Sequence, residues 1–495
     1  MATLHLAIDR DTGTPLHRQV YEGLRQAILG GRLRPGQRVP STRGLATDLG
    51  ISRLPVLTAY DQLLHEGYLT GRTGSGTFVS EGVPDDLLRP PARTGGTPRA
   101  PHSSSTRPPP ANRDQALGPF QIGLPAVDEF PRTVWARMVA RHAHAMAPAQ
   151  MAYGDPAGLA ELRVAVAEHL RAARAVRCEA DQVLIVSGSQ AALRLAAAVL
   201  LARGDRVAIE EPGYFGAQTA LSAGGAELVP VPVDAEGMMI ASLRRRGGRV
   251  RAAYVTPSHQ YPLGPSMTAS RRFALLDWAE RRNAWVLEDD YDSEFRYVSR
   301  PIGALQGMDA HERVVYIGTF SKALFPAVRV GYLVVPPSLR QRFVSARGAF
   351  DMFTPTLTQL ALAEFLRGGH FARHLRRMRG IYLARRDALL AGLGRHCTPA
   401  LTISNADAGL HVAGFLADRI DDRDVVRRMS RRGLTAMALS TCFVGAARRS
   451  GLLLGFGAST PQRLSEATRV LGEVLRGEDQ ASPTSRKWRT HDVSA

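Results

Sequence analysis

The amino-acid sequence predicts an α/β chain with a small helical unit in front of it, on three observations. From about residue 116 to 478 short apolar runs alternate with segments of helical period, the pattern of a mostly parallel sheet covered by helices. Residues 15–80 differ, because three helical segments are followed there by a strand, a glycine-rich turn and a second strand. Between these regions residues 81–115 hold eight prolines and little hydrophobic periodicity, and read as a linker between two folding units. At 495 residues the chain exceeds one ordinary domain, in keeping with the division.

In PLHRQVYEGLRQAIL, Leu16, Val20, Leu24 and Ile28 fall on one helical face, with Pro15 tolerated in the first turn. RLRPGQRVPS is a turn. Ser41 is placed to cap a short helix that runs through Leu49 and stops at Gly50. Ser52 is placed to cap a third, whose apolar positions Val56, Tyr60, Leu63 and Leu64 lead to Gly67. Residues 68–70 and 77–79 then flank a glycine-rich turn as a hairpin, so three helices and a wing fill residues 1–80. Further on, QVLIVS, RVAIEE, AELVPVPV, RAAYVT, AWVLEDD, RVVYIG and RVGYLVV read as strands, with helices such as 191–202 and 270–282 between them. The stretch from about 350 to 478 is helix-rich with weaker strands and is expected to form a smaller α+β subdomain, followed by a polar tail at 479–495.

Composition excludes more than it assigns. No run of 18 apolar residues exists, so no membrane span is expected, and MATLHLAIDRD lacks the apolar core of a signal peptide. Cys178, Cys397 and Cys442 are far apart with no CxxC pair; they suit a reducing, cytoplasmic setting and argue against a metal site. The net charge of +18 favours polyanions, yet residues 1–80 hold nine Arg against six acids, so bulk charge locates no nucleic-acid surface. Of the 63 basic residues only Lys322 and Lys487 are lysines. Where arginine serves almost every solvated charge, a surviving lysine points to a need for an amine, since guanidinium forms no Schiff base. Lys487 sits in the polar tail, whereas Lys322 lies in GTFSKALFPAVRVGY between two strand-like runs.

A helix that enters the major groove needs polar residues at its N-terminal end and Arg within reach of phosphate or guanine. STRGLATDLGISRLPVLTAYDQLLHEGYL supplies Arg43, then Ser52 and Arg53, and the wing tip Gly74-Ser75-Gly76 lets backbone approach the sugar-phosphate closely. Singly these arginines read as surface charge; the ordered set of helix, turn, helix, EGYL and GSGT reads as a double-stranded DNA binder. The segment resembles a GntR-type winged helix-turn-helix over nearly all of residues 14–80. It departs at Leu54-Pro55, where that family commonly carries Thr or Asn, so two polar contacts are missing.

Five downstream segments make joint sense around one ligand. VSGSQAAL is a strand, a glycine turn and a helix start, offering the N–H groups and hydroxyls of Ser187, Gly188 and Ser189 to an anion. EDDYDSEF places acids at a strand's C-terminal end. Lys322 follows RVVYIG, with Arg329 seven residues on; EPGYFG carries Tyr214 and TPSHQYPLG carries Gln260. A pyridoxal 5'-phosphate site needs these pieces. Lys322 supplies the amine for a Schiff base, and Asp289 pairs with the pyridinium nitrogen. Arg329 and the Ser187–Ser189 turn hold the phosphate. Tyr214 stacks on the ring, and Tyr291, with Gln260 less directly, meets the phenolic oxygen. Gln190, Thr319 and Ser321 belong to the same contact set.

YGDPAGLAELR, SGSQAAL, EEPGY, TPSHQYPLG, EDDYDSEFRY and GTFSKALFPAVRVGY resemble fold-type I aminotransferases, and with the winged helix the whole chain resembles the MocR/GabR family of regulators. The resemblance implies a fold-type I, pyridoxal-phosphate-dependent transferase-like domain over 116–478 and a homodimer in which Tyr153 reaches the partner's phosphate. It also exposes a departure. In LLLGFGA, Leu453 stands where aminotransferases carry the Arg that clamps a substrate carboxylate, and Arg448 and Arg449 belong to a preceding loop. The expected function is therefore a ligand-controlled transcription regulator sensing the cofactor itself, an amine or an amino acid, with at most residual or half-reaction transfer activity. The alternative is a working aminotransferase with an accessory DNA-binding domain.

Overall fold

The computed structural model describes residues 6–72, 74–82, 118–246, 248–298, 303–447 and 449–478. The expected linker, apart from its first two residues, the polar tail, Thr73 and Arg448 lie outside them. The chain divides into two compact units, one within residues 1–104 and one within 105–495.

In the first unit α1 (Leu16–Leu29), α2 (Thr42–Asp48) and α3 (Arg53–His65) precede β1 (Leu69–Arg72) and β2 (Gly76–Val79), which pair antiparallel from Leu69↔Val79 to Arg72↔Gly76. The helical period buries Val20 and Leu24 of α1 against Leu45 of α2 and Val56, Tyr60 and Leu63 of α3. Tyr60 satisfies its hydroxyl by donating to Pro40 O at 2.7 Å. The Ser41 hydroxyl caps α2 by accepting from Gly44 N at 3.0 Å. Ser52 occupies the N-cap of α3 but makes no side-chain capping bond. Its expected capping role is not realised, because Pro55 at the third helical position has no N–H to offer that hydroxyl.

The second unit is built on an eight-stranded sheet of order β3-β10-β9-β8-β7-β4-β5-β6. Its strands are β3 (Val183–Val186), β4 (Arg206–Glu211), β5 (Glu227–Asp234), β6 (Gly237–Met238), β7 (Val250–Val255), β8 (Trp285–Asp290), β9 (Val314–Thr319) and β10 (Gly331–Val334). The run from β5 through β4, β7 and β8 to β9 is parallel, as the strand–helix alternation predicts. RVGYLVV departs from it: β10 runs antiparallel to both β3 and β9. The short connection after β9 leaves no room for a crossover helix, so the chain folds straight back.

Both faces of the sheet are covered, which explains its near-continuous apolar strands. The helices Ser189–Leu200 and Arg340–Phe350 pack on one face, through residues such as Leu193 and Phe343. The helix Ala269–Arg281 packs on the other through Leu275 and Trp278. The smaller subdomain is an antiparallel sheet of order β11-β12-β14-β13, formed by β11 (Leu401–Ile403), β12 (His411–Leu416), β13 (Met437–Ala438) and β14 (Gly451–Gly455). It is flanked by the helices His370–His396 and Pro461–Arg476. Among the described residues no helix is long and apolar enough to cross a membrane.

Candidate functional site

The first three acids of EDDYDSEF, Glu288, Asp289 and Asp290, lie at the end of β8 and are set apart by strand alternation. Glu288 and Asp290 share one face. Glu288 accepts from the backbone N–H of Leu305 at 2.7 Å and of Gln306 at 2.8 Å. Asp290 accepts from Arg174 Nε at 2.8 Å and from the Tyr316 hydroxyl at 2.6 Å. Asp289 points the other way, into a cavity of about 340 Å³. Its Oδ2 accepts from the Tyr254 hydroxyl at 2.8 Å, and its Oδ1 is buried without a hydrogen-bond partner. Burial pushes the Asp289 carboxyl up to about 7, against the opposing effect of the Tyr254 bond.

The cavity is lined by residues delivered from the ends of several strands, among them His411 of β12 and Met437 of β13 in the smaller subdomain. Lys322, three residues past β9, donates from Nζ to Gly123 O at 2.6 Å; burial lowers its pKa, partly offset by Asp292 and Asp289. Thr319, Ser321 and Arg329 line the same wall, with Ser189 and Gln190 at the start of the helix Ser189–Leu200. Gly188 caps that helix at φ +103°, and a Cβ there would lie 3.3 Å from Arg329 Nη1. The first turn of the helix, three hydroxyls and a guanidinium thus border one space, an arrangement that suits a dianion. Tyr214 and Tyr291 complete the ring of polar and aromatic groups.

Two expected contacts fall elsewhere. Gln260 does not line the cavity; its Nε2 donates to Pro212 O at 2.9 Å and Tyr261 O at 2.6 Å, and its Oε1 accepts from Leu263 N. Its amide is consumed in holding the loop after β7. The Ser187 hydroxyl donates to Asp351 at 3.3 Å and is outside the lining. Tyr153, expected to reach the partner subunit's site, is 82% exposed, packs edge-on to Phe353 and is outside the cavity of its own chain.

Other residues enter that the sequence did not single out. Tyr254 orients Asp289 yet reads in RAAYVT as another buried strand residue. His259 is buried behind the cavity, with Nδ1 at 3.0 Å from Asp292 and 2.9 Å from the Tyr291 hydroxyl. Asp292, Tyr261, His411 and Met437 are lining residues. Leu453, in contrast, is fully buried on β14 in an apolar cluster with Tyr261, Ala413, Leu439 and Cys442, so no cation stands at that position. Arg449 is exposed, with its guanidinium 3.5 Å over the Phe415 ring.

In the first unit Arg43 on α2 and Arg53 on α3 are exposed, and Arg53 Nε donates to Thr42 Oγ1 at 3.2 Å, tying the two helices. Gly74, Ser75 and Gly76 form the exposed hairpin tip, with Gly74 at φ +76° and Gly76 at φ +109°. Arg38, unforeseen, bridges to Phe78, and a Cβ on Gly76 would lie 2.8 Å from its Nε. Arg72 stacks at 4.9 Å over the Phe78 ring, so one arginine of the wing and one bridged to it lie beyond the expected set.

Comparison with known proteins follows the same division. Residues 16–79 match the family of bacterial regulatory proteins, gntR family, and residues 121–441 match aminotransferase class I and II. The probable rhizopine catabolism regulatory protein MocR of Rhizobium meliloti is 41% identical, over 94% of this chain and 95% of its own length. The HTH-type pyridoxine biosynthesis transcriptional regulator PdxR of Corynebacterium glutamicum is 35% identical, over 92% and 95%. Among solved structures, the α-aminoadipate aminotransferase LysN of Thermus thermophilus, complexed with N-(5'-phosphopyridoxyl)-L-leucine, superposes with a TM-score of 0.68 at 30% identity, over 72% of this chain and 92% of that one.

Proposed function

Because the chain belongs to the MocR family of DNA-binding transcriptional regulators, in which a gntR-family unit precedes an aminotransferase class I and II domain, we propose that its aminotransferase-like cavity binds pyridoxal 5'-phosphate and is the sensing site. The observation that carries the reading is Asp289 Oδ1, a buried carboxylate oxygen left without a partner in a cavity that also holds the Lys322 amine and the Arg329 guanidinium. A lone acceptor there suits the N–H of a pyridinium ring, which would also favour the ionised carboxylate that burial disfavours. Arg329, the hydroxyls of Ser189, Thr319 and Ser321, and the N–H groups after Gly188 would hold the phosphate. Tyr214 would cover the ring and Tyr291 would donate to its phenolic oxygen. When bound, the cofactor supplies an electron-withdrawing ring and an aldehyde carbon open to amines. Lys322 would hold it covalently through Nζ, and burial keeps that amine more readily deprotonated and nucleophilic.

The effector is the cofactor itself or a primary amine without a carboxylate. Leu453 supports this, since an apolar side chain gives a substrate carboxylate no bidentate partner. Tyr153, exposed in one chain, is proposed to complete the phosphate site of a partner subunit in a homodimer. Arg43, Ser52, Arg53 and the tip Gly74–Gly76 are proposed to contact the operator. Purified protein should absorb near ~400–430 nm, as a protonated imine of the cofactor does, and borohydride should bleach the band and label Lys322. Simple amines should perturb it and α-amino acids should not. A label on another residue would refute the site, and rapid turnover of a common amino acid would restore the transferase reading.

A further inference from the structure

The start of α3 presents an apolar side chain where a DNA-reading helix is expected to present polar ones. Val56, Ala59, Tyr60 and Leu63 face the core, which leaves Arg53, Leu54 and Thr58 on the outward side of the first two turns. Leu54 is 71% exposed, more than any other large hydrophobic residue described in this unit, and it takes no part in the unit's core. Its neighbours offer few free donors or acceptors. Pro55 has neither an N–H nor a polar side chain, the Thr58 hydroxyl donates back to Leu54 O at 3.1 Å, and Arg53 is anchored through Nε to Thr42. Packing within the unit therefore does not account for a leucine at position 54.

We propose that Leu54 is a specificity-determining residue that packs its side chain against a thymine methyl group in the major groove, beside the contact made by Arg53. Of the four bases only thymine offers an apolar group on its major-groove edge, the C5 methyl. An exposed leucine on the outward face of a recognition helix gains by leaving water against that methyl, whereas the donor and acceptor edges of guanine, cytosine and adenine give it nothing to bond and lose their own water beside it. The inference depends on the DNA-binding unit alone and is independent of what the aminotransferase-like cavity holds.

The test starts from duplexes selected out of a random library by the full-length protein, at one fixed salt concentration because affinity depends steeply on it. Each thymine is then replaced in turn by deoxyuridine, which removes only the methyl. With the natural chain, one thymine position per half-site should lose about fourfold in affinity on replacement, the value of one buried methyl-sized group. Leu54→Ala should bind the thymine and deoxyuridine duplexes within about twofold of each other. Because position 54 is exposed and alanine is a good helix former, this variant keeps its fold, checked by an unchanged far-ultraviolet spectrum. Arg53→Ala serves as the comparison, since it should weaken both duplexes alike. An equal methyl effect in the natural chain and in Leu54→Ala overturns the proposal. So does unchanged binding by Leu54→Ala, which would point to Leu54 as a contact for protein instead.

Discussion

The buried, ionised carboxylate of Asp289 carries a cost that a proton removes. Its ordinary pKa of 3.8 is raised by burial to about 7, so the folded chain binds a proton there that the unfolded chain has already released between pH 4 and 7. Stability contributed by this group is therefore highest below pH 4 and falls as pH rises through 7. Asp289→Asn removes the titration. In the cofactor-free protein the variant should be more stable than the natural chain at pH 8, by on the order of 2–4 kcal/mol, with the difference vanishing near pH 4. Urea denaturation at the two pH values reads this directly, and equal curves at pH 8 would show that Asp289 is not strained. The same variant should bind the cofactor more weakly, so stability and affinity should move in opposite directions. Lys322 and Asp289 were legible because their residue types are chemically specific: one of two lysines, and an acid at a strand end. Tyr254 and His259 were not, because a tyrosine in a buried strand and a histidine in a proline-rich loop look like ordinary packing until their partners are seen.

At the scale of elements, the turn from β3 into the helix Ser189–Leu200, proposed to hold the phosphate, depends on a glycine. Gly188 adopts φ +103°, ψ 176°, a region essentially reserved for glycine, and a Cβ would press on Arg329. Gly188→Ala should cost about 1–3 kcal/mol in stability and shift the Arg329 guanidinium. Cofactor titration should then show weakened binding, while the DNA affinity of the cofactor-free chain stays unchanged. Full retention of cofactor affinity would mean that this turn does not hold the phosphate. Strand positions were well read from apolar runs because both faces of the sheet are buried, but run composition carries no direction. The antiparallel return of β10 therefore became visible only in the fold. Likewise Ser187 and Gln260 belong to the expected strings, yet the backbone turns their polar groups toward Asp351 and the loop after β7.

For the whole molecule, two cores that do not share residues predict two separable functions. A chain lacking residues 1–80 should keep the cofactor absorbance and lose operator selectivity, which cofactor titration and gel-shift assays against selected and scrambled duplexes would check. Selective binding by the truncated chain would overturn the assignment of DNA reading to the first unit. The division itself was legible because the proline-rich stretch interrupts hydrophobic periodicity. What connects the two functions is the claim that occupancy of the cavity changes DNA affinity, and occupancy can do so only if the loaded and empty forms favour different arrangements of the protein. The most direct measurement is the dissociation constant for a selected operator duplex, with cofactor-free and cofactor-loaded protein at the same salt concentration. A difference of at least about fivefold, the lower end of typical coupling between two sites, is the result expected of a sensor, and equal affinities for the two forms would contradict it.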